Sequence, residues 1–402
     1  MKHTDNSVNQ ITEGVIWKQL LIFFFPIMLG TLFQQLYNTA DAVVVGRFVG
    51  TEALAAVGGS TGQIVNLIVN FFVGLASGAT VIIARYYGAK NQRDLNDTLH
   101  TAAALSLVGG ILTTIVGIAA TPAMLRLMKT PENVMEGSQT YLSIYFAGIL
   151  FVFIYNVGSA ILRAVGDSKR PLYFLIVCCF INIFLDIVLV VFFHMGVAGA
   201  AIATVISQAV SAVLVIIVLM RSTDMYRLVP KQIRFHKFLL VSIITIGLPA
   251  GIQSIMYNIS NMIIQTSLNG LGTDTMAAYT AFGKIDAIYW MISGAFSVSI
   301  MTFIGQNYGA GKYDRMKKSV KVCLLLDFIA SILVSALLLF LGQFLFRLFT
   351  TDPDVIKIGM QIIHVIAPSY VLFMFIEILS CTLRGMGNVL APMLLTWGGG
   401  CI

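Results

Sequence analysis

Residues 18–45 read KQLLIFFFPIMLGTLFQQLYNTADAVVV, a nearly continuous apolar run with one basic and one acidic residue. A helix that spans a bilayer needs about 20 largely apolar residues, so this run predicts a membrane-spanning helix. Nine more runs of this kind follow, at 54–82, 98–120, 134–160, 172–193, 197–220, 238–266, 276–303, 320–345 and 356–382, and a short one lies at 390–402. The predicted fold class is an all-α integral membrane protein.

The composition excludes several other classes of protein. Charged residues make up 11% of the chain and hydrophobic residues 58%, whereas a soluble domain carries about 25% charged residues. The runs are long and continuous, which is not typical of a transmembrane β-barrel. The polar N-terminus and the long first run argue against a cleavable signal peptide. We expect reduced packing residues at the five cysteines, Cys178, Cys179, Cys323, Cys381 and Cys401.

The net charge of +7 is explained by where the basic residues lie along the chain. With a cytoplasmic N-terminus, 19 of the 25 Lys and Arg residues fall on the cytoplasmic side and 5 on the other, and Lys284 falls inside a span. Cytoplasmic loops of membrane proteins carry this excess of positive charge. The charge therefore predicts topology in a cytoplasmic (inner) membrane, and we expect no nucleic-acid partner.

The chain repeats itself at an offset of 221 to 223 residues. Pro26 aligns with Pro249, and GTEALAA at 50–56 aligns with GTDTMAA at 272–278. Three further blocks align: YYGAKNQRDL with NYGAGKYDRM, LRLMKTPENV with FRLFTTDPDV, and RAVGDSKRP with RGMGNVLAP. Five blocks in register indicate a duplicated unit.

Each repeat unit contains six spans, so both copies cross the membrane in the same direction. Parallel repeats of this kind are typical of secondary transporters, which bind substrate between their halves. We predict a six-helix lobe at 1–222, a cytoplasmic linker at 223–237 and a second lobe at 238–402 with four full spans and part of a fifth. The second lobe has no counterpart of residues 182–222, so we expect a fragment of a twelve-span protein or a naturally shortened one.

Acidic residues inside membrane spans cost about 2.5–3.5 kcal/mol each, and five are present: Asp41, Asp186, Asp286, Asp327 and Glu377. Several belong to polar stripes on single helix faces, because their neighbours follow at spacings of three and four residues. These stripes are Gln34, Tyr37, Asn38 and Asp41 on the first span, Gln63, Asn66 and Asn70 on the second, Asn182 and Asp186 on the fifth, and Thr204, Ser207, Gln208 and Ser211 on the sixth.

We hypothesise that Asp41 and Asp186 meet in a dry pocket and share a cation. Two carboxylates close together in a low dielectric cannot both stay ionised, so such a pair binds a proton or Na⁺. Asn182 and Thr204 would supply neutral oxygen ligands. The alternative is that the polar stripes are hydrogen bonds between helices, which explains Asn and Thr better than it explains the carboxylates.

The second half differs chemically, because Ile264 occupies the position that matches Asp41. Its charged candidates for substrate binding are Lys284, Asp286, Asp327 and Glu377. The alternative is pairing with a neighbouring helix or, for Asp327, a position near the membrane interface. The aromatic residues Tyr37, Tyr141 and Tyr257 are candidates to line a cavity for flat organic cations, which aromatic faces attract, or to serve as ordinary packing. A kink at Pro26 would provide a hinge in the first helix.

Motifs for enzymatic or ATP-driven activity are missing from the sequence. It contains no Walker A motif, and its five histidines lack the HExxH spacing of a zinc site. We therefore expect no enzyme and no cofactor apart from a coupling ion, H⁺ or Na⁺.

The sequence blocks resemble the multidrug and toxic compound extrusion (MATE) family, most closely its prokaryotic DinF-like branch. The resemblance rests on PIMLGTLFQQLYNTADAVVVGR, RYYGAKNQRDLN, RAVGDSKRP and NIFLD, together with their second-half echoes. It implies a V-shaped pair of six-helix bundles that exchanges H⁺ or Na⁺ for cationic or amphiphilic drugs. It also implies a basic-aliphatic-acidic pattern at 284–286. The implied cation site consists of Asp41, Asn182, Asp186 and Thr204, with Tyr141 nearby and Pro26 as the bend in the first helix.

Two alternatives to drug antiport stay open from the sequence. A flippase for lipid-linked precursors shares the helical plan, but it would favour a cationic cavity, and acids outnumber Lys284 within the spans. A channel or a membrane-embedded enzyme is the alternative from another class. Our prediction is a monomeric secondary antiporter whose partners are organic cations or drugs and the lipid bilayer.

Overall fold

The computed structural model describes residues 10–269 and 272–394, and these residues form a bundle of long helices. Eleven helices are described: α1 Ile16–Phe48, α2 Thr51–Gly58, α3 Ser60–Gly88, α4 Gln92–Leu127, α5 Glu132–Ala164, α6 Lys169–Asp186, α7 Gly196–Arg221, α8 Lys237–Asn269, α9 Thr273–Gly309, α10 Tyr313–Arg347 and α11 Pro353–Gly385. With α2 and α3 counted as one span, ten spans of this described part are long and apolar enough to cross a membrane. The predicted all-α membrane fold is confirmed.

Two local features depart from the simple spans that the sequence predicts. The second span breaks at Gly59, between α2 and α3, because the Gly58–Gly59 pair has low helix propensity. The fifth span ends in a π-helical turn, Ile187–Phe192, directly after Asp186. This turn consists largely of β-branched residues, whose side chains crowd the preceding turn of an α-helix.

The backbone repeats the turns that the sequence duplicates. Gly50 has φ 124° and its counterpart Gly272 has φ 102°. Gly166 has φ 100° and Gly387 has φ 90°. Glycine adopts such positive φ values without a steric penalty. The aligned blocks therefore correspond to matching turns in the two halves.

The two halves meet where α3 and α9 end and where α8 and α10 begin, which we call the basic end. Gly88 at the end of α3 lies on the backbone of Gln306, and Gly309 at the end of α9 lies on the backbone of Arg85. These two contacts are equivalent under the repeat, because both pairs are offset by 221 residues. The junction at the basic end is therefore close to two-fold symmetric.

Hydrogen bonds from one arginine side chain also join the two halves at the basic end. The Arg315 guanidinium on α10 donates hydrogen bonds to the carbonyl oxygens of Ile11, Glu13 and Gly14 at 3.0, 2.6 and 2.8 Å, and to Gln19 Oε1 at 2.8 Å. Guanidinium groups suit such multiple contacts because of their rigid fork of donors. The N-terminal segment of the first half is thereby held to the second half.

Further into the bundle, the halves cross at two different kinds of contact. α3 and α8 touch backbone to backbone: a methyl group on Gly74 would lie 2.6 Å from the Gly251 backbone, and one on Gly78 would lie 2.7 Å from Gly247 N. α1 and α9 instead cross through stacked rings, Phe24 and Phe296, whose centroids are 4.1 Å apart. Both crossings lie between the basic end and the outer parts of these four helices.

Of the five cysteines, Cys178, Cys179, Cys323 and Cys381 are buried free thiols. Cys401 lies outside the described residues. The short segment predicted at 390–402 is described as far as residue 394, and residues 390–394 are helical.

Candidate functional site

The predicted cation-site residues come together inside the first half. Asp41 on α1, Asn182 and Asp186 on α6, and Thr204 on α7 are each at most 5% exposed. The Asp41 carboxyl group lies beside the side chains of Asp186, Asn182 and Thr204. Thr204 Oγ1 donates a hydrogen bond to Asp41 Oδ2 at 3.3 Å. Three helices therefore bring these four side chains to one buried point.

This pocket holds polar atoms that the described residues satisfy poorly. Asp41 Oδ1, both carboxyl oxygens of Asp186 and both side-chain atoms of the Asn182 amide form no well-aligned hydrogen bond with this part of the chain. Buried polar groups are almost always hydrogen-bonded, and two adjacent carboxylates repel each other when both are ionised. The arrangement can therefore accept one or more protons, or a small cation that the free oxygen atoms would coordinate.

Aromatic and amide side chains surround the four residues. Gln208 Nε2 on α7 donates a hydrogen bond to the Tyr37 hydroxyl at 3.2 Å. The rings of Tyr141 and Tyr145 on α5 lie parallel, with centroids 6.2 Å apart, and Tyr141 lies close to both carboxyl groups. Tyr37 and Tyr141, predicted as cavity residues, thus belong to the wall of this pocket. The link from Gln208 to Tyr37 was not predicted, although the polar stripe on the sixth span contains Gln208.

The π-helical turn after Asp186 is a second feature that sequence reasoning missed. It begins at the residue that follows Asp186, at the end of α6. π-helical turns are rare and frequently occur at functional sites. The only local signal in the sequence is the β-branched run IVLVV at 187–191.

Most of the other polar candidates lie on the outer parts of the four crossing helices. Gln34 and Asn38 on α1 lie beyond Phe24, and Asn66 on α3 lies beyond Gly74, and all three are exposed. Exposed amides in a membrane span face water or protein, because the lipid core cannot satisfy them. These side chains therefore indicate that the outer parts of α1 and α3 present a surface that is not covered by lipid.

The second half contributes three candidates to the same level of the bundle. Tyr257 on α8 is half-buried and lies beyond Gly251, and Lys284 on α9 is exposed. Asp286 accepts hydrogen bonds from Trp290 Nε1 at 2.7 Å and from the Tyr370 hydroxyl. Tyr370 and Trp290 were not predicted as partners of Asp286. Trp290 lies four residues after Asp286, and that helical spacing was the available signal.

Glu377 does not lie with these candidates. It is half-buried on α11, and its Oε1 accepts a weak hydrogen bond from Cys381 Sγ at 3.5 Å. It is also close to Asp327 on α10. Glu377 therefore belongs to the interior of the second half, on the side of the crossings that faces the basic end.

Pro26 is buried within α1, and the helix continues through it. A proline inside a helix removes one backbone hydrogen bond, so α1 has a weak point between the basic end and Asp41. The role of this weak point as a hinge stays a prediction.

Comparison with known proteins identifies the family. The MatE family model matches residues 26–188 and 249–399. This chain belongs to the MatE family. The same model matches once in each half, in agreement with the duplication in sequence and backbone. Members of this family are transporters, so this MATE protein is a multi-pass membrane transporter and not an enzyme.

Similar MATE proteins match the chain along most of its length. It is 32% identical to the probable multidrug resistance protein YoeA of Bacillus subtilis over 95% of this chain and 85% of the relative. It is 28% identical to the probable multidrug resistance protein NorM of Thermotoga maritima, over 95% of this chain and 82% of the relative. These relatives support multidrug transport for the family branch to which the chain is similar.

A solved MATE structure has the same fold. An outward-facing multidrug resistance transporter of the MOP superfamily superposes with a TM-score of 0.90, at 24% identity, over 98% of this chain and 88% of that one. The predicted V-shaped MATE architecture is therefore confirmed as a fold.

Proposed function

We propose that this protein exports cationic or amphiphilic organic compounds across the cytoplasmic membrane in exchange for H⁺ or Na⁺. The observation that carries the proposal is the Asp41–Asp186 pair, buried side by side, in which three of the four oxygen atoms form no well-aligned hydrogen bond with the described residues. Asn182 and Thr204 complete the oxygen set. A pair of this kind changes its charge when it gains or loses one small cation.

The polar candidates on the outer helices supply a place for the organic compound. Gln34, Asn38 and Asn66 are exposed beyond the crossings, and Tyr257 and Asp286 lie at the same level of the second half. Amides and aromatic rings suit flat cationic compounds, which ring faces attract. The names of the relatives, which describe multidrug resistance proteins, support a broad range of substrates.

The exchange follows from the charge of the pocket. When a proton or Na⁺ enters from the outer side, the Asp41–Asp186 pair loses negative charge and its attraction for a cationic compound. α1 then bends at Pro26, the first-half cavity narrows, and the compound leaves. One charge that moves down 100 mV provides about 2.3 kcal/mol, which sustains a gradient of roughly fifty-fold.

The orientation follows from the basic residues. Cytoplasmic loops carry the excess of Lys and Arg, so the basic end and the N-terminus face the cytoplasm in this proposal. Each chain carries its own Asp41–Asp186 pair, and we expect it to work as a monomer.

Ethidium efflux from energised vesicles tests the proposal. We expect Asp41→Asn to reduce coupled efflux at least tenfold, because the asparagine cannot change charge. Glu136→Gln, which neutralises an exposed acid on α5 of the same half, should leave efflux unchanged. Unimpaired efflux in Asp41→Asn would contradict the proposal.

A further inference from the structure

A second group of buried polar side chains lies inside the second half, between α9, α10 and α11. Asp327 on α10 is 0% exposed, and neither of its carboxyl oxygens has a hydrogen-bond partner among the described residues. The hydroxyl groups of Ser293 on α9 and Ser331 on α10 are 1% exposed and lie beside the Tyr289 hydroxyl. These groups lie on other helices than the residues of the Asp41 pocket, and the exchange proposed at that pocket does not use them.

The charged and titratable neighbours of Asp327 come from all three helices. Glu377 of α11 and the Tyr289 hydroxyl of α9 lie close to its carboxyl group, and Cys323 lies one turn before it on α10. Tyr289 also lies beside Ser293 and Ser331. The Tyr289 hydroxyl donates its own hydrogen bond to the Tyr370 carbonyl at 3.0 Å. The side chains of Glu377, Tyr289 and Cys323 therefore approach Asp327 from the three helices.

No cation compensates these acids within the described part of the chain. Neither Asp327 nor Glu377 forms an ion pair there. Arg384, seven residues after Glu377 on α11, donates instead to Gln253 Oε1 at 2.8 Å. An ionised carboxylate in a buried site without a partner is costly enough that the group neutralises instead, and the nearby Glu377 adds like-charge repulsion. The Asp327 carboxyl group is therefore more stable in this site when a bound proton or other cation neutralises its charge.

The equivalent positions of the first half show whether the three-helix packing requires Asp327 and Glu377. The repeat offset of 221 places Ser106 opposite Asp327 and Asn156 opposite Glu377. Ser106 Oγ and Asn156 Nδ2 donate to carbonyl oxygens of their own helices, each at 2.8 Å. Both line a small, mostly apolar cavity of about 20 Å³ with Phe72 and Phe153. The equivalent three-helix packing therefore forms without any carboxyl group.

We propose that the Asp327 carboxyl group is a second proton-binding site, and that Glu377 relays the proton between Asp327 and the basic end. A proton needs no coordination shell, whereas a metal ion here would meet the thiols of Cys323 and Cys381, which are poor ligands for hard cations. The two carboxyl groups lie about 9 Å apart along the helix axes, so the relay passes through intervening water: the Asp327 O–H bond breaks, each water molecule accepts one proton and gives up another, and an O–H bond to a Glu377 carboxylate oxygen forms. This site is distinct from the exchange site proposed at Asp41.

The positions along the helices support the direction of the relay. Asp327 lies 14 residues from the start of α10 at Tyr313, which is about 21 Å at 1.5 Å per residue. Glu377 lies 8 residues before the end of α11 at Gly385, about 12 Å from that end. Glu377 is half-buried and Asp327 is fully buried. Glu377 thus lies between the buried carboxyl group and the basic end.

Infrared spectroscopy of the protein in lipid tests the proposal, because protonated carboxyl groups absorb apart from carboxylates. The background is the double variant Asp41→Asn/Asp186→Asn, so that the result does not depend on the proposed exchange. We expect this background to show a carboxylic-acid band that titrates with pH, and we expect Asp327→Asn to remove it. The proposal is overturned if the band persists after Asp327→Asn.

Two further variants guard against misfolding and assign the relay. Asp327→Ser introduces the residue of the first half. This variant should also lack the band, and it should elute like the wild type on gel filtration.

Glu377→Gln should keep the band but move the titration midpoint of the band to lower pH, because a like charge is lost. It should also slow the response of the band to a pH jump at the basic end. Unchanged midpoint and rate would overturn the relay. Replacement of K⁺ by Na⁺ at fixed pH should leave the band unchanged, and its loss would identify a Na⁺ site instead.

Discussion

The two halves of the molecule share a duplicated backbone but place their buried acids on different helices. The first half carries Asp41 on α1, where the second half has Ile264. The second half carries Asp327 and Glu377, where the first half has Ser106 and Asn156. Matching turns and matching contacts at the basic end persist despite these differences. The repeated backbone therefore forms with or without an acid at each of these positions.

The two crossings between the halves also differ from each other in how closely their helices pack. The repeat pairs Gly74 with Phe296 and Gly247 with Phe24. Where glycines face each other, α3 and α8 touch through their backbones. Where phenylalanines face each other, α1 and α9 are held apart by stacked rings. Small residues permit close helix packing in membranes, so α3 and α8 form the tighter junction, and α1, which carries Asp41 and Pro26, crosses its partner at a larger distance.

Moving the second-half acids into the first half should have the largest effect. In the double variant Ser106→Asp/Asn156→Glu, two carboxyl groups enter a cavity lined by Phe72 and Phe153, without the hydroxyl groups that surround Asp327. We expect a loss of about 3–5 kcal/mol in the free energy of unfolding, as for other uncompensated buried charges. Denaturant unfolding in detergent measures this loss. A free energy of unfolding equal to that of the wild type would contradict the difference between the two halves.

A methyl group at the glycine crossing should have an intermediate effect. In Gly78→Ala, the new Cβ would overlap the backbone of α8, and overpacking of this kind costs about 1–3 kcal/mol. Gly294→Ala on α9 is the matched control, because a Cβ there meets nothing within 4 Å. Thermal melting of both variants measures the difference, and equal melting temperatures would show that the crossing is not tight.

The smallest effect should come from replacing Asp327 with serine, the residue at the equivalent position of the first half. We expect Asp327→Ser to change the free energy of unfolding by less than about 1 kcal/mol, because the hydroxyl can bond to its own helix and no buried carboxyl group remains to be desolvated. Denaturant unfolding at neutral pH checks this. A loss above about 3 kcal/mol would mean that the carboxyl group holds the three helices together.

The sequence predicted the features that follow from what lipid excludes. Apolar run length predicted the spans, and the polar stripes predicted that Asp41, Asn182, Asp186 and Thr204 meet, because lipid cannot satisfy such groups. Spacing along one helix gives the face of a residue but not the neighbour of that face. For this reason the sequence grouped Glu377 with Asp286 as a candidate for substrate binding, whereas the structure places it near Asp327. The break at Gly59 and the π-helical turn after Asp186 depend on local packing that periodicity does not describe.

Ion movement driven by substrate tests the central claim, exchange at the Asp41–Asp186 pair, most directly. Proteoliposomes receive an ethidium gradient without any initial ion gradient, and H⁺ and Na⁺ fluxes are recorded together with ethidium flux. The account predicts that wild type moves one of these ions opposite to ethidium in a fixed ratio, and that Asp41→Asn and Asp186→Asn abolish the ion flux. The same ion-to-ethidium ratio in Asp41→Asn as in wild type would contradict it.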